Sequence, residues 1–216
     1  MQPSDPKHET ITGVILAGGL SRRMGGGDKG LLDLAGQSMI TRVIARLAPQ
    51  VDAVVVNANG DPGRFRALAL PVVADPIDGF VGPLAGVLAG LRWAAAERPG
   101  DYYVASVSSD APFLPLDLVA RLRGAVAGQP GAIALAASDD GLHPVIGLWP
   151  VALADDLERS LVAGVRKVLD WTDRHGTVAV TFGPITIAGQ AIDPFFNANT
   201  PAELAEARRL LEAQVS

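Results

Sequence analysis

The stretch GVILAGGLSRRMGGGDKGLL, residues 13–32, joins a short β-branched apolar run to a loop rich in glycine and cations. Val14-Ile15-Leu16 closes at Ala17-Gly18-Gly19, the pattern of an interior strand that stops abruptly in a turn. Beyond it, a backbone with few Cβ atoms lets several amides converge on phosphate oxygens, and Arg22, Arg23 and Lys29 supply countercharge. Three cations against the single carboxylate of Asp28 give a local positive excess in a chain whose formal charge is −5. That contrast suits a small polyanion, and the loop reads as a cradle for a triphosphate. The P-loop pattern is absent, and Gly25 to Gly30 matches G-x-G-x-x-G only formally, because it does not directly follow the strand.

Composition narrows the classes. A chain of 216 residues, 49% of them hydrophobic, can bury one substantial core without a second domain. The absence of cysteine excludes disulfides, thiolate nucleophiles and cysteine-based metal sites. An acidic balance and 5% aromatics argue against a nucleic-acid partner. No stretch approaches the length of a membrane helix and the first ten residues lack a signal-peptide core, so a cytoplasmic location without membrane contact is expected.

Further along, Ser38 is placed to cap a helix carrying Met39, Ile40, Val43, Ile44 and Leu47. Residues 53–60 and 71–76 are apolar runs that end in polar residues, and Asn57 and Asp75 join the cradle if the sheet is parallel, since ligands of open parallel sheets bind beyond the strand carboxyl ends. Gly79 to Ala96 reads as a turn and a helix, with Ala85, Ala89 and Gly90 allowing close approach to the sheet and Gly82 and Gly86 either packing or holding ligand. Tyr102 to Val107 is the next strand and runs into Asp110, a carboxylate suited to Mg²⁺, which takes one or two carboxylates together with phosphate oxygens and waters.

A helix is expected over 116–127, then an antiparallel pair over 132–137 and 145–149. His143 between them is open to three roles: general base, donor to substrate, or structural. Residues 152–174 read as helical, interrupted at Gly164-Val165-Arg166-Lys167, where two cations suit a second anionic substrate. Residues 194–201 read as a strand end entering a helix, with Thr200, Pro201 and Glu203 forming a capping box and Asn197 and Asn199 reaching the same crevice.

Leu16-Ala17-Gly18-Gly19, Ser21-Arg22-Arg23-Met24-Gly25 and Asp28-Lys29-Gly30 closely resemble the signature of the molybdenum cofactor guanylyltransferases. The likeness continues through residues 55–59, 82–86, 109–112, His143-Pro144, Arg166-Lys167 and 197–201. It implies an α/β, three-layer Rossmann-like nucleotidyltransferase fold with a mostly parallel sheet, and one such domain over 11–216 behind a disordered tail over 1–10. It also implies GTP and Mg²⁺ as ligands and molybdopterin carrying molybdenum as second substrate, with molybdenum cofactor assembly proteins and molybdoenzymes as further partners.

Carried over by position, nucleotide contacts fall on Leu16, Ala17, Gly18, Gly19, Lys29, Asn57, Asp75 and Asp110, and the metal on Asp110. The wider sugar nucleotidyltransferases tend to have a second metal-binding Asp where this chain has Asn197. The implied reaction moves GMP from GTP to the terminal phosphate of molybdopterin and releases pyrophosphate. That phosphate is already ionised near neutral pH, so no protein nucleophile is needed and catalysis becomes in-line positioning and charge neutralisation. On this reading Arg23, Lys29 and Asp110 are catalytic, and Arg166, Lys167, Asn197 and Asn199 receive molybdopterin. Competing readings are a CTP-dependent cytidylyltransferase, a noncatalytic nucleotide-binding regulator and a nicotinamide oxidoreductase.

Overall fold

The computed structural model describes residues 9–18, 28–77, 79, 82–129 and 131–215. Arg22, Arg23 and the glycines between 19 and 27 lie outside them, and with them the expectations placed on Gly19 and Arg23.

In chain order the elements are β1 (Thr10–Leu16), β2 (Asp33–Leu34), β3 (Gln37–Ser38), α1 (Met39–Leu47), β4 (Ala53–Asn57), β5 (Val72–Val73), α2 (Pro83–Glu97), β6 (Asp101–Ser108) and α3 (Leu118–Ala125). There follow β7 (Ala134–Ser138), β8 (Gly141–Pro150), α4 (Ala154–Val162), α5 (Val168–Thr172), β9 (Val178–Thr181), β10 (Ile185–Ile187), β11 (Gln190–Ile192) and α6 (Pro201–Val215). Short 3-10 segments include Lys29–Leu31 and Pro62–Leu68.

A seven-stranded sheet runs β5-β4-β1-β6-β8-β7-β9, and β8 alone is antiparallel to its neighbours. Alternation along β1 sends Ile15 to one face, with Ile40, Val43 and Leu47 of α1 and Leu118 and Leu122 of α3. Val14 goes to the other, with Leu84, Val87 and Leu91 of α2, Leu157 of α4 and Trp171 of α5. Helices on both faces of a mostly parallel sheet make the three-layer α/β arrangement the sequence predicts. A third cluster of Leu34, Met39, Phe113, Ile187 and Leu210 seats the C-terminal helix.

Parallel pairing aligns the strand exits. Leu16 is in register with both Asn57 and Ser108, and Asn57 with Val73, so four carboxyl ends form one edge. Close packing of α2 fixes its start there: a Cβ on Gly90 would lie 2.9 Å from Val14, and one on Gly86 only 2.3 Å from Asn57 Oδ1 and 2.8 Å from Leu16. The reversed β8 brings its first residues to this edge too, beyond a bulge where Ala136 faces His143 while Leu135 faces Gly147. Ser106 donates to the bulge carbonyl of Val145 at 2.7 Å and accepts from Trp149 Nε1 at 2.7 Å, so the irregularity leaves these buried groups paired.

Two expectations need adjusting and one holds. The helix expected over 116–127 begins only at Leu118. The interruption expected within 152–174 is present: α4 and α5 are parted around Gly164, where φ is 97°. Residues 194–200 hold no strand: Asp193 turns the chain after β11 by accepting from Phe195 N at 2.6 Å through its side chain and from Phe196 N at 3.1 Å through its carbonyl. The apolar Phe195 that suggested a strand is a buried turn residue. No described helix is long and apolar enough to cross a membrane.

Candidate active site

Two polar clusters sit on the aligned edge, one on each side of the β1 exit. In the first, the loop returns past β6 at Gly30, where a Cβ would lie 3.0 Å from Ser109 Cβ and Oγ. That close passage delivers Lys29, whose Nζ donates to Asp110 Oδ2 at 2.6 Å and also to Asn199 Oδ1. The two charged side chains keep 12% and 16% of their exposure, so the ion pair is largely withdrawn from solvent without being sealed. Ser108 Oγ donates to the other carboxylate oxygen.

Asn199 is held from behind by the capping box: Glu203 Oε2 accepts from the amides of Asn199 and Thr200, both at 2.8 Å, and Thr200 Oγ1 accepts from Glu203 N at 3.2 Å. Ala198 N donates to the Asp110 carbonyl at 3.2 Å, which pins this loop to the carboxylate's own backbone. Asn197 Oδ1 is buried and has no hydrogen-bond partner among the described residues. A buried oxygen of that kind is costly unless something donates to it or coordinates it.

The second cluster lies at the exits of β4 and β5. The Asn57 amide nitrogen donates to Asp75 Oδ1 at 3.0 Å, and Asn59 binds Asp75 reciprocally, side chain to Oδ2 at 2.7 Å and Asp75 N to Asn59 Oδ1 at 2.8 Å. Leu16, Ala17 and Gly18 run between the clusters, tied to β4 by Ala17 N donating to the Asn57 carbonyl at 2.9 Å. Arg64 Nη1 bonds the Asp28 carboxylate from the neighbouring 3-10 segment. Lys29 and Asp28 are thus each committed to an opposite charge, and the positive excess expected of the loop rests on Arg22 and Arg23, outside the described residues.

Of the residues expected to contact the second substrate, Asn197 and Asn199 join the Lys29 cluster. Arg166 and Lys167 are exposed on the segment between α4 and α5, which approaches the start of α2: a Cβ at Gly82 would lie 3.9 Å from the Arg166 carbonyl. Arg166 Nη1 turns back onto the carbonyls of Leu161 and Val165 at 2.9 and 2.8 Å.

His143 is held by its neighbours at the start of β8. Ser138 Oγ donates its one proton to Asp193 and lies 2.7 Å from His143 Nε2, so the imidazole is the donor in that contact. Its ring packs on Phe195, with centroids 4.7 Å apart. Burial pushes its pKa below the ordinary 6.5, partly opposed by Asp193 and Asp140. A histidine held neutral in the folded chain binds fewer protons there than when unfolded, so its stabilising contribution is full above pH 6.5 and declines as pH falls below it. We expect the melting temperature to drop more steeply between pH 7 and 5 in the native chain than in His143→Gln. Equal slopes by calorimetry would remove His143 as the cause.

Asn59, Ser108 and Arg64 carry no expectation from the sequence. For Asn59 a signal exists, because it follows Asn57 at the alternate position of the same strand exit. Arg64 has none, since its partner is 36 residues away.

Comparison with known proteins gives the family of the chain. The profile of the MobA-like NTP transferase domain matches residues 13–178. The molybdenum cofactor guanylyltransferase of Rhodopseudomonas palustris strain BisB5 is 54% identical over 204 residues, covering 94% of this chain and 95% of the relative. That of Bradyrhizobium strain ORS 278 is 53% identical over 201 residues, covering 93% and 92%. Among solved structures, molybdopterin-guanine dinucleotide biosynthesis protein A from Archaeoglobus fulgidus has the same fold, with a TM-score of 0.71 at 22% identity over 93% of this chain and 98% of that one. With a domain profile over most of its length and relatives above half identity from end to end, the chain belongs to the molybdenum cofactor guanylyltransferases, within the MobA-like NTP transferase family.

Proposed function

We propose that the chain transfers GMP from GTP to the terminal phosphate of molybdenum-carrying molybdopterin, forming the guanine dinucleotide cofactor and releasing pyrophosphate. The observation that carries this reading is the meeting of Lys29, Asp110 and Asn199 at the strand ends, supported by relatives of about half identity named for that activity.

The residues present fit Mg²⁺. Among the described residues no three or more His, Cys, Asp or Glu side chains gather as a cage. One carboxylate, Asp110, stands beside a loop whose Asn197 Oδ1 is buried and unpaired, and Mg²⁺ accepts such a sparse set because phosphates and waters complete its octahedron. Asp110, with Asn197, would hold the ion, which would supply neutralisation of charge at the α-phosphate.

Lys29 then moves from Asp110 to the triphosphate, where its ammonium meets the charge that develops on departing pyrophosphate. The Leu16 to Gly18 backbone and Lys29 orient the α-phosphorus, and Arg23 adds countercharge. Asn57 and Asp75 face the nucleoside. A carboxylate is acceptor-only and each oxygen of Asp75 retains a second lone-pair direction, which suits the adjacent ring and amino donors of guanine better than the acceptor-rich edge of cytosine. Arg166, Lys167, Asn197 and Asn199 face the acceptor, whose ionised phosphate attacks in line.

Calorimetry with GTP, CTP and ATP in the presence of Mg²⁺ tests the donor: GTP should bind at least about tenfold more tightly than either. A preference for CTP would make the chain a cytidylyltransferase. Pyrophosphate release that requires both GTP and molybdopterin tests the transfer, and its absence with GTP bound would leave a nucleotide-binding regulator.

A further inference from the structure

Resting on the assignment of the crevice to a nucleoside triphosphate, we propose that Arg64 is a positioning residue that couples the nucleobase side to Lys29. Its planar guanidinium reaches three separate groups: Nη1 bonds the Asp28 carboxylate, Nη2 the Asn59 carbonyl, and Nε the Asp61 carbonyl at 2.9 Å. Asp28 directly precedes Lys29, which is on Asp110. Asn59 is locked to Asp75, which is locked to Asn57. Arg64 therefore closes a chain of polar contacts running from the β4 exit to the cation at the reacting end.

The anchor is firm. Phe65, the next residue, is 1% exposed, and Asp61 caps the segment by accepting from Gly63 N at 2.8 Å. The Arg64 guanidinium also lies 5.3 Å from the Phe65 ring centroid. Among the described residues no backbone hydrogen bond joins residues 28–32 to residues 57–64, so the fork of Arg64 is the polar link between the two segments. A rigid fork transmits position because its donors cannot rotate independently, whereas a lysine at the same place offers a point charge. A base that displaces the Asn59–Asp75 pair thereby shifts Asp28 and, with it, the backbone from which Lys29 extends. Selection at the base is read out as placement of a cation at the phosphates.

The test uses the full chain as native protein, Arg64→Ala, Arg64→Lys, Asp28→Ala and the Arg64→Ala/Asp28→Ala double variant. GTP affinity is measured by calorimetry, and kcat/KM with GTP and ATP by pyrophosphate release. Each single variant should weaken GTP binding about tenfold, and the double variant should lose no more than the weaker single, because the two residues act through one contact. Arg64→Lys should fail like Arg64→Ala, and the GTP over ATP preference in kcat/KM should fall in both.

Three results would overturn the inference: full rescue by Arg64→Lys, which would leave only a countercharge; losses that multiply in the double variant, which would place Arg64 on the nucleotide itself; or an unchanged base preference. Should Arg64→Ala not fold, Arg64→Lys and Asp28→Ala carry the same comparison. A native chain with no affinity for GTP would instead sink the assignment of the crevice, whereas native binding matched by unaffected variants would sink the coupling alone.

Discussion

Asp110→Ala is expected to lower GMP transfer about 10³-fold or more while the chain still folds, because the substitution removes charge from the reacting end and little from the core. Among the described residues the carboxylate is bonded by Lys29 and Ser108, both on the crevice, while the backbone at Asp110 keeps its tie to Ala198. Asp110→Asn sharpens the result. An amide preserves the shape: its one oxygen can still accept from Lys29 while its NH2 donates to the Ser108 hydroxyl, which rotates to accept, so the frame stays hydrogen-bonded and the charge is lost. Both variants should therefore be equally inactive in single-turnover pyrophosphate release and should melt within a few degrees of the native chain. Activity in Asp110→Asn near the native rate would show that the group serves as an acceptor and not as an anion, and would withdraw its metal role.

Lys29→Met is expected to act with two signs. With GTP, kcat/KM should fall about a hundredfold, since one fixed cation is taken from the triphosphate. Without nucleotide, the same variant should bind Mn²⁺ more tightly than the native chain does, because Lys29 occupies the Asp110 oxygen that a divalent ion would take. Titration of Mn²⁺ by electron paramagnetic resonance separates the two effects. A variant that lost GTP affinity and left Mn²⁺ affinity unchanged would mean that the Lys29–Asp110 pair does not compete with the ion.

Local chemistry was readable along the chain, and its success has a simple cause. Ser38 caps α1 by accepting from Thr41 N at 3.3 Å, and the Thr200–Glu203 box opens α6, because both signals involve residues within one helical turn. The β1-to-loop transition and the Asp110 exit were readable for the same reason: composition changes abruptly where a buried strand ends. Bringing Lys29 to Asp110 spans 81 residues, and the contact was expected only through the rule that parallel strands share a ligand edge.

Where no such rule applies, the sequence was silent. The strands β9, β10 and β11 have four, three and three residues, too few for alternation to rise above background. Phe195 misled because an apolar residue before a helix looks the same whether a strand or a turn buries it. That His143 donates to Ser138 follows only from the contact of Ser138 with Asp193, 55 residues away in the chain.

The reversed β8 has a wider consequence. Were all seven strands aligned, the edge that holds Asp110 would be reached only by segments leaving strands, each spent on the same small ligand. With one strand laid the other way, the chain that β7 brings to that edge turns tightly between Ser138 and Gly141 and starts β8 from the same edge, without a crossover. On the function proposed above, donor handling and acceptor handling would then fall on different stretches of polypeptide. Drift in the later stretch can change what is nucleotidylated while the earlier stretch keeps its grip on the activated phosphate, a division of labour suited to one scaffold serving many acceptors.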